Sequence, residues 1–156
     1  MFHEFKRFTI RKGTGKNDIS ALNSIDSALS DAGVGDYNLI RVSSLIPKDM
    51  TKTDEIDAEF GSFLPCVLAE AVGAKYEVAA GIGYGLDSRG RGYVAEHSIC
   101  SDGIDMESFD ADLKEKVVEM GRIREIDIED IKIDSVKTDI YKGEFGCAIA
   151  VLVYLP

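Results

Sequence analysis

Residues 146–155 form an almost unbroken apolar run, Gly-Cys-Ala-Ile-Ala-Val-Leu-Val-Tyr-Leu. A strand of that composition offers no face to water, so it reads as a central strand covered on both sides. The rest of the chain must therefore supply layers above and below it. Alternating signals of the right kind precede it. Phe5, Phe8 and Ile10 mark a first strand that is expected to end at a Gly13-Thr14-Gly15 turn. Asn17 or Asp18 then caps a helix whose apolar positions Ile19, Leu22, Ile25 and Leu29 recur at helical spacing, with Gly33 as a left-handed stop.

Tyr37 to Val42 reads as a buried strand, and the polar, acidic stretch 47–60 as a surface loop. Ser62 to Val72 and Tyr76 to Leu86 follow as two more strands. Glycines at 81, 83 and 85 in the second of these point to a bulge or a close backbone approach. Tyr93 to Cys100 mixes apolar and polar residues, as a strand with one buried face does. Phe109, Leu113, Val117, Met120 and Ile123 trace a second helix capped near Ser108 or Asp110. Ile128, Ile131, Ile133 and Val136 suggest a further strand with an irregular step. Two helices against six or seven strands predict an α+β sandwich in a single domain over 1–156. At 156 residues the chain can bury roughly 68–70% of its unfolded surface without staples.

Charge and cysteine usage narrow the function. A formal charge of −10 makes nucleic acid and anionic lipid poor partners, and suits a small cationic ligand. Cys66, Cys100 and Cys147 are scattered and odd in number, as expected of reduced thiols in a cytoplasmic protein. The first seven residues lack the apolar stretch of a signal peptide, and no segment approaches the roughly 18 apolar residues of a membrane span. Gly13-Thr14-Gly15-Lys16 lacks the spacing of a phosphate loop, and Gly81-Ile82-Gly83-Tyr84-Gly85 fails the dinucleotide fingerprint. His97 and Cys100 fall short of a metal site; a surface histidine and a core cysteine are the simpler expectation. The other imidazole is His3.

What remains is Asn38-Leu39-Ile40-Arg41-Val42-Ser43-Ser44-Leu45-Ile46-Pro47. If the Ser44 hydroxyl lies against the Ser43 carbonyl, it can attack that peptide bond and turn amide into ester. β-Elimination and hydrolysis then leave a ketone at position 44 and a carboxylate on Ser43. The reaction needs a strained bond and a donor to the tetrahedral oxygen. Asn38, a polar residue opening an apolar strand, is a candidate donor. A Ser-Ser pair alone carries almost no information; its flanks carry the weight.

Those flanks resemble the self-processing motif of the pyruvoyl-dependent arginine decarboxylases. Leu22-Asn23-x-x-Asp26-x-Ala28-Leu29-x-x-Ala32-Gly33-Val34-Gly35 resembles the same family's substrate helix and loop. Gly61 with Leu64-Pro65, the Glu96 strand and Gly146-Cys147-Ala148 fall in the family's order, so the resemblance covers nearly the whole chain. It is dense over 21–47 and thin over 87–135.

The resemblance implies a four-layer αββα sandwich with mainly antiparallel sheets. It implies a covalent pyruvoyl group made from Ser44, with self-cleavage giving a 1–43 β chain and a 44–156 α chain. Asn38 would assist processing and Glu96 would donate a proton in decarboxylation. Asp26 would bind the guanidinium, with Gly35 and the Ser43 carboxylate lining the same pocket. The implied substrate is L-arginine and the products are agmatine and carbon dioxide, with polyamine synthesis as the pathway. The implied assembly is a homotrimer, or a dimer of trimers, with sites between subunits. No metal is called for.

Chemistry independent of the resemblance agrees. An amine condenses with a ketone whose conjugated carbonyl accepts electrons as carbon dioxide leaves. Burial of Glu96 would raise its pKa and suit it to proton delivery. A carboxylate at Asp26 can pair with a planar guanidinium. His97 beside Glu96 is expected to make the pocket wetter. On the residues alone, Asp26 also reads as a solvated helix acid, Glu96 as the exposed side of a strand, and Asn38 as a turn-bonding residue. Two alternatives stay open. One is a pyruvoyl enzyme for another amino acid such as histidine; the other is an unprocessed, non-catalytic oligomeric binding protein.

Overall fold

The computed structural model describes residues 5–156; His3 lies outside them. The elements run β1 (Arg7–Asn17), α1 (Ala21–Asp31), β2 (Asn38–Arg41), β3 (Leu45–Ile46), β4 (Thr51–Lys52), β5 (Phe63–Gly73), β6 (Tyr76–Leu86), β7 (Gly92–Ser101), α2 (Met106–Ile123), β8 (Glu129–Ile140) and β9 (Phe145–Leu155). One sheet has the order β2-β5-β9-β1-β4 and the other β3-β7-β6-β8. Pairings are antiparallel except β1 with β4 and β2 with β5. No helix among the described residues is long and apolar enough to cross a membrane.

β9 is the keystone of this arrangement. It lies between β5 and β1, and its even positions (Ala148, Ala150, Leu152, Tyr154) face the second sheet. Its odd positions (Cys147, Ile149, Val151, Val153, Leu155) face α1 with Ala28, Ala32 and Val34. On the far side, Phe109, Leu113 and Val117 of α2 pack on Ala79 and Ala95 of the second sheet. Three apolar interfaces between four layers give the αββα sandwich.

Several local expectations change. Gly13 and Gly15 do not end β1 in a turn; the strand continues to Asn17 in register with β9. A Cβ at either glycine would run into the backbone of α1 around Ala28, so both exist to let the helix lie close. The same closeness sets which face of α1 is buried. Ser24 and Ala28 go in with Ile25 and Leu29 half-buried beside them, whereas Leu22 is 73% exposed; Ile19, also expected in the helix, precedes its cap and is 79% exposed. The cap is Ser20, whose hydroxyl accepts from the Asn23 N–H at 3.0 Å. α2 starts earlier than its apolar spacing indicates, capped by Asp105, and Ile123 is exposed.

β2 is an exposed edge strand, not a buried one, because no strand among the described residues pairs beyond it. Gly33 has φ +74°, the left-handed stop expected. The β6 glycines serve both purposes foreseen for them. A Cβ at Gly85 would stand 3.0 Å from the Glu129 carbonyl oxygen, one at Gly81 would meet the side chains of Phe109 and Leu113, and the pairing with β8 slips between Tyr84 and Leu86. Asp130, in the slip, has φ +49°.

Candidate active site

The Ser43-Ser44 pair lies where the chain leaves one sheet for the other. β2 runs parallel to β5, and just past it the Val42 N–H donates to the Cys66 carbonyl at 2.9 Å. Two residues later the Val94 N–H of β7 donates to the Ser44 carbonyl at 2.9 Å. The Ser43–Ser44 bond therefore spans the gap between sheets with each side tied to a different one. Ser43 is exposed and Ser44 half-buried.

Within this crossing the Leu45 N–H donates to the Ser43 carbonyl at 3.2 Å. An i to i+2 bond of that kind closes a three-residue γ-turn centred on Ser44. It bends the chain at the bond the Ser44 hydroxyl would attack. It also provides an N–H at the oxygen that would gain negative charge. The Leu45 N–H therefore joins Asn38 as a candidate donor to that oxygen.

Asn38 itself donates from Nδ2 to the Gly61 carbonyl at 2.8 Å, and its N–H donates to the Ser62 carbonyl at 2.9 Å. Five residues of extended chain, roughly 16 Å, separate it from Ser43. In one chain it anchors the start of β2 to the 61–62 loop and does not reach the scissile carbonyl.

Glu96 lies two residues beyond Val94 on the same face of β7, about 7 Å further along. That face looks towards the first sheet, and Glu96 is exposed on it, so the burial that would raise its pKa is absent in the single chain. β7 has only the two-residue β3 beyond it, so this half of the strand is an open edge. Burial pushes the Cys66 thiol up to about 11, Arg41 works against it and the Glu96 carboxylate adds to it. The carbonyl of Cys66 is the one that ties down Val42.

His97 points to the opposite face. It stacks on Phe109 of α2 at 4.6 Å, and its Nδ1 is 2.9 Å from Lys116 Nζ. Burial first, and Lys116 second, lower its pKa, with Asp112 opposing. It therefore lies across β7 from Glu96 and does not share that side of the strand. Cys100, three residues on, faces the other way from His97 and is exposed, where a core cysteine was expected.

Asp26 and Gly35 belong to the outer layer. Asp26 is exposed on α1, one turn from the exposed Leu22, and Gly35 packs its backbone under Ser30 at the helix end. The first sheet separates this layer from Glu96. One chain does not bring Asp26 and Glu96 onto a common ligand.

Two participants have no signal in the sequence. The Val94 N–H is a backbone group in an unexceptional strand. Tyr154, 5% exposed at the end of β9, donates its hydroxyl to the Leu45 carbonyl at 2.7 Å. An apolar cleft of about 210 Å³ lined by Phe5, Val42, Leu45, Pro47, Pro65 and Tyr154 adjoins the crossing.

Residues 7–156 match the family model for pyruvoyl-dependent arginine decarboxylase. A protein of that name from Methanopyrus kandleri is 33% identical over 149 residues, 96% of each chain. One from Methanothermobacter thermautotrophicus is 31% identical over 136 residues, 86% of this chain and 87% of its own. Among solved structures, a pyruvoyl-dependent histidine decarboxylase at pH 8 superposes with a TM-score of 0.52 at 16% identity. That match covers 64% of this chain and 53% of the other, so this chain spans about half the length of the histidine enzyme; the likeness is one of fold alone.

Proposed function

This chain belongs to the pyruvoyl-dependent arginine decarboxylase family, and from that premise we propose that Ser44 becomes its pyruvoyl group by self-cleavage after Ser43. The protein is an arginine carboxy-lyase that depends on a covalent pyruvoyl group. The reading for Ser44 is carried by the γ-turn, in which the Leu45 N–H meets the Ser43 carbonyl at 3.2 Å. Ser44 Oγ adds to that carbonyl carbon and the C–N bond breaks to give an ester. Loss of the Ser43 carboxylate and hydrolysis with release of ammonia complete the change. Residues 1–43 and 44–156 then stay together through β1 and α1, which remain packed on β9.

Once formed, the group supplies a ketone for the substrate's α-amine and draws electrons from the bond to the departing carboxylate. Agmatine and carbon dioxide are the products. Glu96, on the open edge of β7 beside the crossing, delivers a proton to the substrate α-carbon. Asn38 assists processing by fixing β2 to the 61–62 loop, which sets where Ser43 leaves the sheet.

Asp26 and Gly35 act in trans. Leu22 and Ile19 leave the Asp26 face of α1 more apolar than a solvated helix would be. The β2 edge likewise exposes Ile40, Val42, Phe60 and Phe63. One copy's α1 face against the next copy's β2 edge is a heterologous contact, which gives a ring where the rotation closes; a homotrimer, alone or paired, is the assembly proposed. Asp26 of one protomer then meets the guanidinium of an arginine held at its neighbour's residue 44. Three free thiols support a reducing, cytoplasmic setting, and arginine consumption suits polyamine synthesis.

The test is turnover of arginine by purified protein. Wild type should release carbon dioxide and agmatine, and Asp26→Asn should raise KM for arginine while leaving self-cleavage complete. Turnover of histidine in place of arginine would refute the substrate assignment, and full activity of Ser44→Ala would refute the cofactor's origin.

A further inference from the structure

Cutting the chain after Ser43 creates a mechanical difficulty at residue 44. Residue 44 becomes a chain end, held by β3, a strand of only two residues, Leu45 and Ile46. Pro47 follows and has no N–H to contribute. The Leu45 side chain is 50% exposed, so burial holds it weakly. In an antiparallel ladder, backbone groups of alternate residues face the partner strand. Ser44 uses its carbonyl on the Val94 N–H of β7. Those of Leu45 therefore face away from β7, towards the other sheet.

There the Leu45 carbonyl meets the Tyr154 hydroxyl at 2.7 Å. Tyr154 stands on β9, the most deeply covered strand, opposite Phe8 of β1. Phe8 in turn packs edge-on against Tyr84 at 5.7 Å. The phenol thus projects from a rigid floor and reaches across the sandwich to the weakest strand. Burial, with a contribution from Cys66, pushes its pKa up to about 12, so it remains a hydrogen-bond donor across the working range of the protein. Before cleavage the Leu45 N–H is tied to the Ser43 carbonyl in the γ-turn; cutting the Ser43–Ser44 bond opens that turn. The phenol contact does not depend on the cut bond.

We propose that Tyr154 is a positioning residue of the decarboxylation, its hydroxyl holding the Leu45 carbonyl so that residue 44 keeps its orientation after the chain is cut. The role rests on the reading that Ser44 becomes the ketone. It acts through Leu45 and touches no reacting atom. It also explains why a tyrosine hydroxyl occupies a position that the apolar pattern of β9 would otherwise give to phenylalanine.

The test is Tyr154→Phe, which keeps the ring in the core and removes only the donor. Intact mass gives the fraction cut, amide exchange of a peptide containing Leu45 and Ile46 gives the holding of β3, and initial rates give kcat and KM. Cutting should go to completion and exchange should quicken. kcat should fall on the order of tenfold, the scale of one hydrogen bond, with KM for arginine within about twofold. A merely structural role would instead lower Tm and leave kcat of the folded fraction alone. Unchanged kcat and exchange overturn the proposal, and so does a kcat loss that only tracks an uncut fraction. A wild-type chain that stays whole removes the premise and both readings fall. A cut wild type with a variant indistinguishable from it removes this one alone.

Discussion

Replacing Gly15 by alanine adds a single methyl group at the tightest point between β1 and α1. That methyl would sit 2.7 Å from Ser27 Cβ and closer still to the backbone of Ser24 and Ala28. Ordinary contact between carbons lies near 3.5–4.0 Å, so α1 must lift by about 1 Å. The atoms in the way are mainly helix backbone, which cannot swing aside as a flexible side chain would. Overpacking of this kind costs about 1–3 kcal/mol, and at roughly 2–4 °C per kcal/mol for a domain of this size Tm should fall by about 2–12 °C. The functional effect is selective, because α1 carries Asp26 while the Ser43-Ser44 crossing is pinned by β5 and β7. A misplacement of about 1 Å can cost up to ~10²-fold where geometry is demanding. KM for arginine should therefore rise several-fold while intact mass shows complete self-cleavage. Urea unfolding, intact mass and initial rates on one preparation decide it. Wild-type stability with unchanged KM would refute the close helix contact; failed cleavage with normal stability would refute the independence of the crossing from α1.

Glu96→Gln should leave self-cleavage intact and lower kcat by about 10²–10⁴-fold, the range for losing a positioned proton donor; a variant at the wild-type rate removes Glu96 from that role. Asp87 accepts from the Arg89 and Arg91 N–H groups, from Arg91 Nε and from the Tyr93 hydroxyl. Burial works to raise its pKa, but these bonds outweigh it and lower the value from 3.8 to about 2. Because the folded value is the lower one, the stabilisation is full above about pH 4 and is lost as pH falls through about 2. Carboxyl NMR should show Asp87 titrating near the low value, and Asp87→Asn should weaken that part of the acid transition; titration near 3.8 would contradict it. Burial pushes the Cys66 thiol to about 11 and the Cys147 thiol to about 12, whereas Cys100 is exposed. A thiol reagent at pH 8 should label Cys100 in the folded protein and the other two only after denaturation; rapid labelling of Cys66 or Cys147 would count against their burial.

β9 and the crossing were legible for opposite reasons. The apolar run of β9 has one physical solution, coverage on both faces, and that fixes the layering. Ser43 and Ser44 are uninformative as a pair but specific within their ten-residue setting. The misreadings came where tertiary contact decides. Gly13 and Gly15 look like a turn because glycine permits turns, yet here they remove Cβ atoms beneath a helix. Ile19, Leu22, Ile25 and Leu29 follow a helical period, but the helix starts only after Ser20, so Ile19 lies outside it. Within it Ser24 and Ala28 are fully buried, Ile25 and Leu29 pack half-buried beside them, and Leu22 faces outwards. β2 has the composition of a core strand and lies at an edge. Glu96 is exposed, as the alternation of its strand indicates, and the burial that would raise its pKa is not found in the single chain. The Val94 N–H, the Leu45 N–H and the Tyr154 hydroxyl were illegible. Two are backbone groups, and the third ends an otherwise apolar strand.

The central claim is that Ser44 is consumed to make the reactive group. Intact-mass measurement of purified protein after borohydride reduction, with and without arginine, tests it most directly. Two fragments divided after Ser43 are expected, with an arginine-derived adduct on the 44–156 fragment only. A single chain of full mass, with serine still at position 44 and no adduct, would contradict it.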